Sequence, residues 1–208
     1  PKPVALQMGI QPSEREIPGN VRIEANGAQT SEFPFQIPRM TQALKPVVAL
    51  YCQDAAGTVH TNSLTETLIG SYAMPANTLA QGSRLKIKFQ GIVPSSNGGD
   101  TLTVKLYIGG LTGTALFTSS ATDAVNNDVF YGDFELVCRT VGASGTFVGA
   151  GTFTKVEAAS GTATEVVAAV ASTAIDTTAA QTIGVGADWS VAHADNQVRL
   201  DILSVEMS

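Results

Sequence analysis

The chain has 208 residues and a formal charge of −6, and only 14% of it is Asp, Glu, Lys or Arg, against the usual quarter for soluble domains. Its length suits one β sandwich with an appendage or two small domains, and its aliphatic content is ample for a core without a disulfide or metal staple. No run of Lys or Arg occurs, which excludes the clustered cations that a phosphate backbone demands. No apolar stretch approaches the ~18–20 residues of a membrane span, and no charged segment followed by an apolar run marks a signal peptide.

Seven of the nine prolines (Pro1, Pro3, Pro12, Pro18, Pro34, Pro38 and Pro46) fall in the first 46 residues. Proline fixes φ and removes a backbone donor, so residues 1–45 read as an extended arm with one short strand near 21–25. The arm still carries Phe33, Phe35, Ile37, Met40 and Leu44, too many apolar anchors for a solvated tail. These five residues are the candidate partner-binding set, lying on either their own domain or a neighbouring subunit. Charge separates arm from body as well. Residues 1–48 hold five Lys/Arg against four Asp/Glu, and residues 49–208 hold seven against fourteen.

Residues 46–208 show period-two patterning. Arg84-Leu85-Lys86-Ile87-Lys88-Phe89-Gln90 alternates strictly, and so do Thr101–Ile108 and 197–202. Such alternation marks antiparallel strands with one face in a core. Strands are predicted near 46–52, 64–73, 84–92, 101–109, 114–118, 128–141, 146–156, 163–174, 181–185 and 197–206. Turn signals separate them, among them Asn97-Gly98-Gly99-Asp100, Gly109-Gly110 and Asn126-Asn127-Asp128. Glu165–Ala171 is open to a helical reading, but its Val and Thr neighbours favour a strand. The expected class is all-β, an antiparallel β-sandwich or jelly roll over 46–208 behind the proline-rich arm.

Chemistry is sparse. The two histidines, His60 and His193, stand in loop-like contexts with no Gly-x-Ser-x-Gly elbow and no zinc-ligand spacing. Asp133 and Glu135 share a strand face and could form the paired carboxylates of a glycosidase, but that face reads as solvated. The Asn/Asp clusters at 97–100 and 126–128 offer oxygen atoms without the ordered spacing of a calcium loop. The glycines near 142–151 and 184–186 precede no helix, so they form no phosphate cradle. Trp189, the sole tryptophan, closes a sandwich end or stacks on a sugar, the first reading being favoured. Cys138 is in phase with Phe134 and Leu136, which suggests a buried strand thiol. A Cys52–Cys138 disulfide is allowed and not implied, and the cysteine usage points to assembly in a reducing cytoplasm. No catalytic residue, cofactor or metal is expected.

From Met74-Pro75-Ala76-Asn77-Thr78-Leu79-Ala80-Gln81-Gly82, through the Asp133–Gly142 and Gly145–Thr154 pair, to the closing 174–183 segment and Trp189-Ser190, the chain resembles β domains of tailed-bacteriophage structural proteins. The resemblance covers about residues 64–208. It implies a non-catalytic virion protein, located in the virion after assembly in the host cytoplasm and associating as a homotrimer. The leading expectation is a capsid decoration (cement) protein whose arm clamps the major capsid protein. The alternative is a head-fibre or tail-fibre module that contacts the host surface, with exposed aromatics such as Trp189 or Tyr131 as its binding groups. A polysaccharide hydrolase is the least favoured reading.

Overall fold

The structure, a computed structural model, describes Glu16–Ile17, Val21–Ile23, Gln29–Ser31 and residues 47–208. It divides into two units, Pro1–Lys45 and Pro46–Ser208. In the first, β1 (Glu16–Ile17), β2 (Val21–Ile23) and β3 (Gln29–Ser31) form an antiparallel sheet in the order β1-β2-β3. This corrects the expectation of a single short strand there. The physical reason lies in the spacing of the prolines: Pro18 and Pro34 bracket a proline-free stretch that holds β2 and β3. The rest of the expected arm, including Phe33, Phe35, Ile37, Met40 and Leu44, lies outside the described residues.

The second unit is an antiparallel β sandwich, and no α-helix occurs among the described residues. Its strands are β4 (Val48–Cys52), β5 (His60–Thr61), β6 (Thr67–Met74), β7 (Arg84–Ser95), β8 (Thr101–Ile108), β9 (Thr114–Thr118), β10 (Thr122–Asp123), β11 (Val129–Thr140), β12 (Gly145–Val156), β13 (Ala163–Ile175), β14 (Gln181–Trp189) and β15 (Gln197–Met207). The larger sheet runs β13-β12-β11-β7-β15-β4, with β5 also pairing β15. The smaller runs β10-β8-β14-β6, with β9 also pairing β8. The chain crosses between sheets from β5 to β6, β6 to β7, β7 to β8, β10 to β11, β13 to β14 and β14 to β15, a jelly-roll-like pattern.

Alternation in the sequence becomes alternation in burial. Leu85, Ile87, Phe89 and Val93 of β7 are buried, while Arg84, Lys86 and Lys88 face outward with their charges in water. Phe130, Phe134, Leu136 and Cys138 of β11 complete the inner face of the larger sheet. Leu102, Val104, Leu106, Ile183 and Val185 supply that of the smaller. Phe117 of β9 joins the layers, its ring centroid 5.3 Å from Phe134 and 5.2 Å from Phe153. Each such large side chain contributes about 1.5–3 kcal/mol by leaving water.

Several phenylalanines are seated by glycines on the neighbouring strand. Phe89 pairs with Gly132 and Phe130 with Gly91 across β7 and β11. A Cβ at Gly132 would stand 2.3 Å from the Phe89 ring, and one at Gly91 2.2 Å from the Phe130 ring. The glycines at 149, 151, 184 and 186 are likewise strand positions under large neighbours, which extends β14 to Trp189, beyond the expected 185. Segment 163–175 is strand throughout, so the helical reading of 165–171 is excluded.

Candidate functional site

The outer face of the larger sheet carries a cluster of exposed charges. Strand β11 places Tyr131, Asp133 and Glu135 on it, and β7 places Arg84, Lys86, Lys88 and Gln90 beside them. In register, Asp133 sits opposite Lys88 and Glu135 opposite Lys86. The Asp133 carboxylate lies 3.8 Å from Lys86 Nζ and 3.7 Å from Lys88 Nζ, and Arg84 donates to Glu135 Oε1 at 3.1 Å. These groups are all substantially exposed, so each pair adds only about 0–1 kcal/mol. They leave the face nearly neutral and fix the register of the two strands.

Beside the charged rows runs a less polar one. Gln90 pairs with Ile202 on one side and Tyr131 on the other. Ile202 is 44% exposed and Tyr131 45%, so the row presents two apolar groups around an amide. At one end of the sheet, Val47, Arg84, Lys86, Glu135, Glu206 and Met207 line an open depression of about 130 Å³. Such a shallow dip on a flat sheet suits surface contact better than enclosure of a small molecule.

The sequence-predicted carboxylate pair is therefore present on one face but engaged by cations on an open surface. The oxygens of the two turn clusters are committed to the fold. Asp100 accepts from Asn97 Nδ2 at 3.1 Å and from the buried Asn196 Nδ2 at 2.9 Å. Asp128 accepts from the backbone N–H of Val125 and of Ala158, both at 2.9 Å, and pairs with Lys155 Nζ at 3.0 Å. Asn127 takes a left-handed φ of 68° in that turn, a conformation asparagine tolerates.

Trp189 is 2% exposed and part of the core, which removes it from the exposed aromatics that could bind a sugar and leaves Tyr131. It closes the inner face of β14 in phase with Ile183, Val185 and Ala187. Cys138 is buried and Cys52 exposed, and neither is bonded to the other, so the allowed disulfide is not formed. Burial pushes the Cys138 thiol above its ordinary value. His193 is loop-borne, accepting at Nδ1 from the Asp195 backbone N–H at 3.2 Å. His60, expected in a loop, belongs instead to the two-residue strand β5 against β15. Burial lowers its pKa, partly opposed by the Asp188 charge.

One network escaped the sequence reading. Glu66 accepts from Lys105 Nζ at 2.7 Å and from Tyr107 OH at 2.8 Å on the outer face of the smaller sheet. Its hydrogen bond raises the Lys105 pKa, and burial with the same bond raises that of Tyr107. Lys105 and Tyr107 share a face by their i, i+2 spacing, which was legible. Glu66, on the approach to β6, reaches them only through the β6-β14-β8 order. Among the described residues, no three His, Cys, Asp or Glu side chains converge as metal ligands.

Comparison with protein families and with curated proteins finds no match. Several solved structures are similar at low identity. One is a chain from the structure of infectious bursal disease virus Gx strain, at 14% identity and a TM-score of 0.37, covering 78% of this chain and 32% of that one. This chain thus spans about a third of that viral chain's length. Arcelin-5, a lectin-like defense protein from Phaseolus vulgaris, is 9% identical at a TM-score of 0.40, covering 91% and 90% of the two chains. The CBM2 module of the Lactobacillus casei BL23 phage J-1 evolved Dit is 12% identical at a TM-score of 0.32, covering 65% and 67%.

Proposed function

We propose that the chain is a non-catalytic virion structural protein, a capsid decoration or cement protein that binds and stabilises the phage head through the major capsid protein. The observation that supports this reading is the outer face of the larger sheet. It is open to solvent, and its carboxylates Asp133 and Glu135 are each paired with cations from the adjacent strand. Pairing means that another protein packing against this face buries no isolated carboxylate, the most costly kind of charge to desolvate. The sequence resemblance to tailed-phage structural domains points the same way. The arm anchors Phe33, Phe35, Ile37, Met40 and Leu44 supply the apolar contact: at ~25 cal/mol per Å2, a few hundred Å2 per arm contributes several kcal/mol before ordering costs. Many copies on one shell add avidity. Purified chain is expected to co-sediment saturably with decoration-free capsids. Absence of binding by folded protein would count against the cement role.

A second reading, a head-fibre or tail-fibre module that contacts the host surface, is favoured by one specific feature. Tyr131 stands exposed beside Gln90 on the same face, an aromatic plane next to an amide, which is the combination that sugars stack on and hydrogen-bond to. If it holds, Tyr131→Ala abolishes binding to host-surface glycan in a pull-down, whereas a cement protein shows no glycan signal to lose. The homotrimer that the resemblance implies is proposed for chains bound on the assembled shell, as distinct from the free chain in solution.

A further inference from the structure

Strand β13, Ala163–Ile175, is the outermost strand of the larger sheet and the longest of the described strands. Among the described residues nothing pairs with its outer edge. Edge strands expose a row of backbone donors and acceptors, and soluble proteins blunt them with shortness, bulges, prolines or lysines. The other edges of this sandwich use such devices. Strands β4, β9 and β10 have five, five and two residues, and the β6–β14 ladder carries a bulge at Val185/Gly186. Strand β13 has 13 residues, no proline, no lysine and one charged side chain, Glu165. Its ladder with β12 carries one bulge near the C-terminal end, where Ala171 and Ser172 face Val148, and runs unbroken over the eight residues from Ala163 to Val170.

The side chains along this edge are under-covered on both faces. Val166 points to the core side, in phase with buried Val170, yet is 36% exposed. On the outer face, Val167 is 74% exposed. A strand laid along the edge would cover both rows at once.

We propose that β13 is a self-association edge, pairing antiparallel with the same strand of a second copy about a two-fold axis. Self-complementarity favours a second copy as the occupant. In an antiparallel pair, opposed residues share a face, so a two-fold centred on Val167 continues the inner layer as inner and the outer as outer. It sets Val167 against the partner's Val167 and Glu165 against the partner's Ala169. The one charge on the edge thus never meets itself. Moving the two-fold by one residue either way, to Val166 or Ala168, shifts the register by two and sets Glu165 against the partner's Val167 or the partner's Ala171, again without a clash. The two larger sheets would then form one continuous sheet, an isologous contact of the kind commonest among soluble oligomers. The proposal is independent of whether the chain binds a capsid.

The test is the solution mass of the full 208-residue chain by sedimentation equilibrium at high protein concentration. The expected mass is twice the 21.5 kDa of one chain. Val167→Lys places two ammonium groups against each other at the axis and is expected to halve the mass, with unchanged far-UV and near-UV circular dichroism. Val48→Lys, at an exposed valine of edge strand β4 on the opposite side of the sheet, is expected to keep the two-chain mass. Mixing Val167→Lys with Val167→Glu chains is expected to regenerate it, a rescue that misfolding would not give. A wild-type mass of one or three chains, or a two-chain mass that survives Val167→Lys, overturns the proposal.

Discussion

Lys155 and Asp128 form the most buried ion pair of the body, with side chains 11% and 1% exposed. Lys155 Nζ also donates to the Asp123 backbone oxygen, so the pair ties β12 to the loop that enters β11 and to β10. Taking away the cation strands a buried carboxylate that keeps only two backbone donors. Lys155→Met is therefore expected to cost about 3 kcal/mol, read from the urea midpoint at constant m. Adding Asp128→Asn should recover part of that loss in a double-mutant cycle. His60 acts through pH. Its folded-state pKa lies below the ordinary 6.5 because burial disfavours the charged form. The unfolded chain therefore binds the proton more readily. The stabilisation due to neutral His60 is fully present above about pH 6.5 and is lost as pH falls toward the lower folded-state value. Melting temperature is expected to drop across that window in the wild type, and His60→Asn should flatten that part of the profile. An unchanged slope in the variant would place the acid sensitivity elsewhere.

Within the elements, glycine spacing and strand alternation make opposite demands that the sequence meets together. Gly151 pairs with Phe134 across β11 and β12, and a Cβ there would stand 2.4 Å from the Phe134 ring and 2.6 Å from the Asp133 backbone oxygen. Gly151→Ala is expected to destabilise by about 1–3 kcal/mol through overpacking, measured by chemical denaturation. On β13, Val170 is 5% exposed, and Val170→Ala removes buried methyls at a cost of about 1–2 kcal/mol. Strand positions from β6 onward were legible because alternation and turn residues coincide there, as in Arg84–Gln90 between the Gln81-Gly82 and 94–100 turns. Two-residue strands such as β5 and β10 were not. Their pairing with β15 and β8 is set by tertiary contact and leaves no period in so short a segment. The predicted strand 181–185 stops short of the observed 181–189, in which the missing side chains of Gly184 and Gly186 make room for Leu68, Glu66 and Tyr107.

At the scale of the whole molecule, the fold class followed from period-two patterning and turn spacing, and the exposed face from the charges out of phase with the core. The side chains that oppose those charges were hidden, because strand order in a sandwich that crosses between sheets is not written in local sequence. Asp133 and Glu135 could be placed on one solvated face from β11 alone. That Arg84, Lys86 and Lys88 neutralise them required knowing that β7 lies beside β11. Trp189 was ambiguous for the same reason: one indole in a strand of small residues gives no sign of which layer it enters.

The central claim, a virion structural protein held to the head by apolar anchors of its arm, is tested most directly by co-sedimentation with decoration-free capsids. Full-length chain is compared with a full-length Phe33→Ser, Phe35→Ser, Ile37→Ser variant whose circular dichroism matches the wild type. The account predicts saturable binding by the wild type and at least a tenfold weaker association for the variant, about 1.4 kcal/mol or more. Equal binding by both chains, or no binding by the folded wild type, would contradict it.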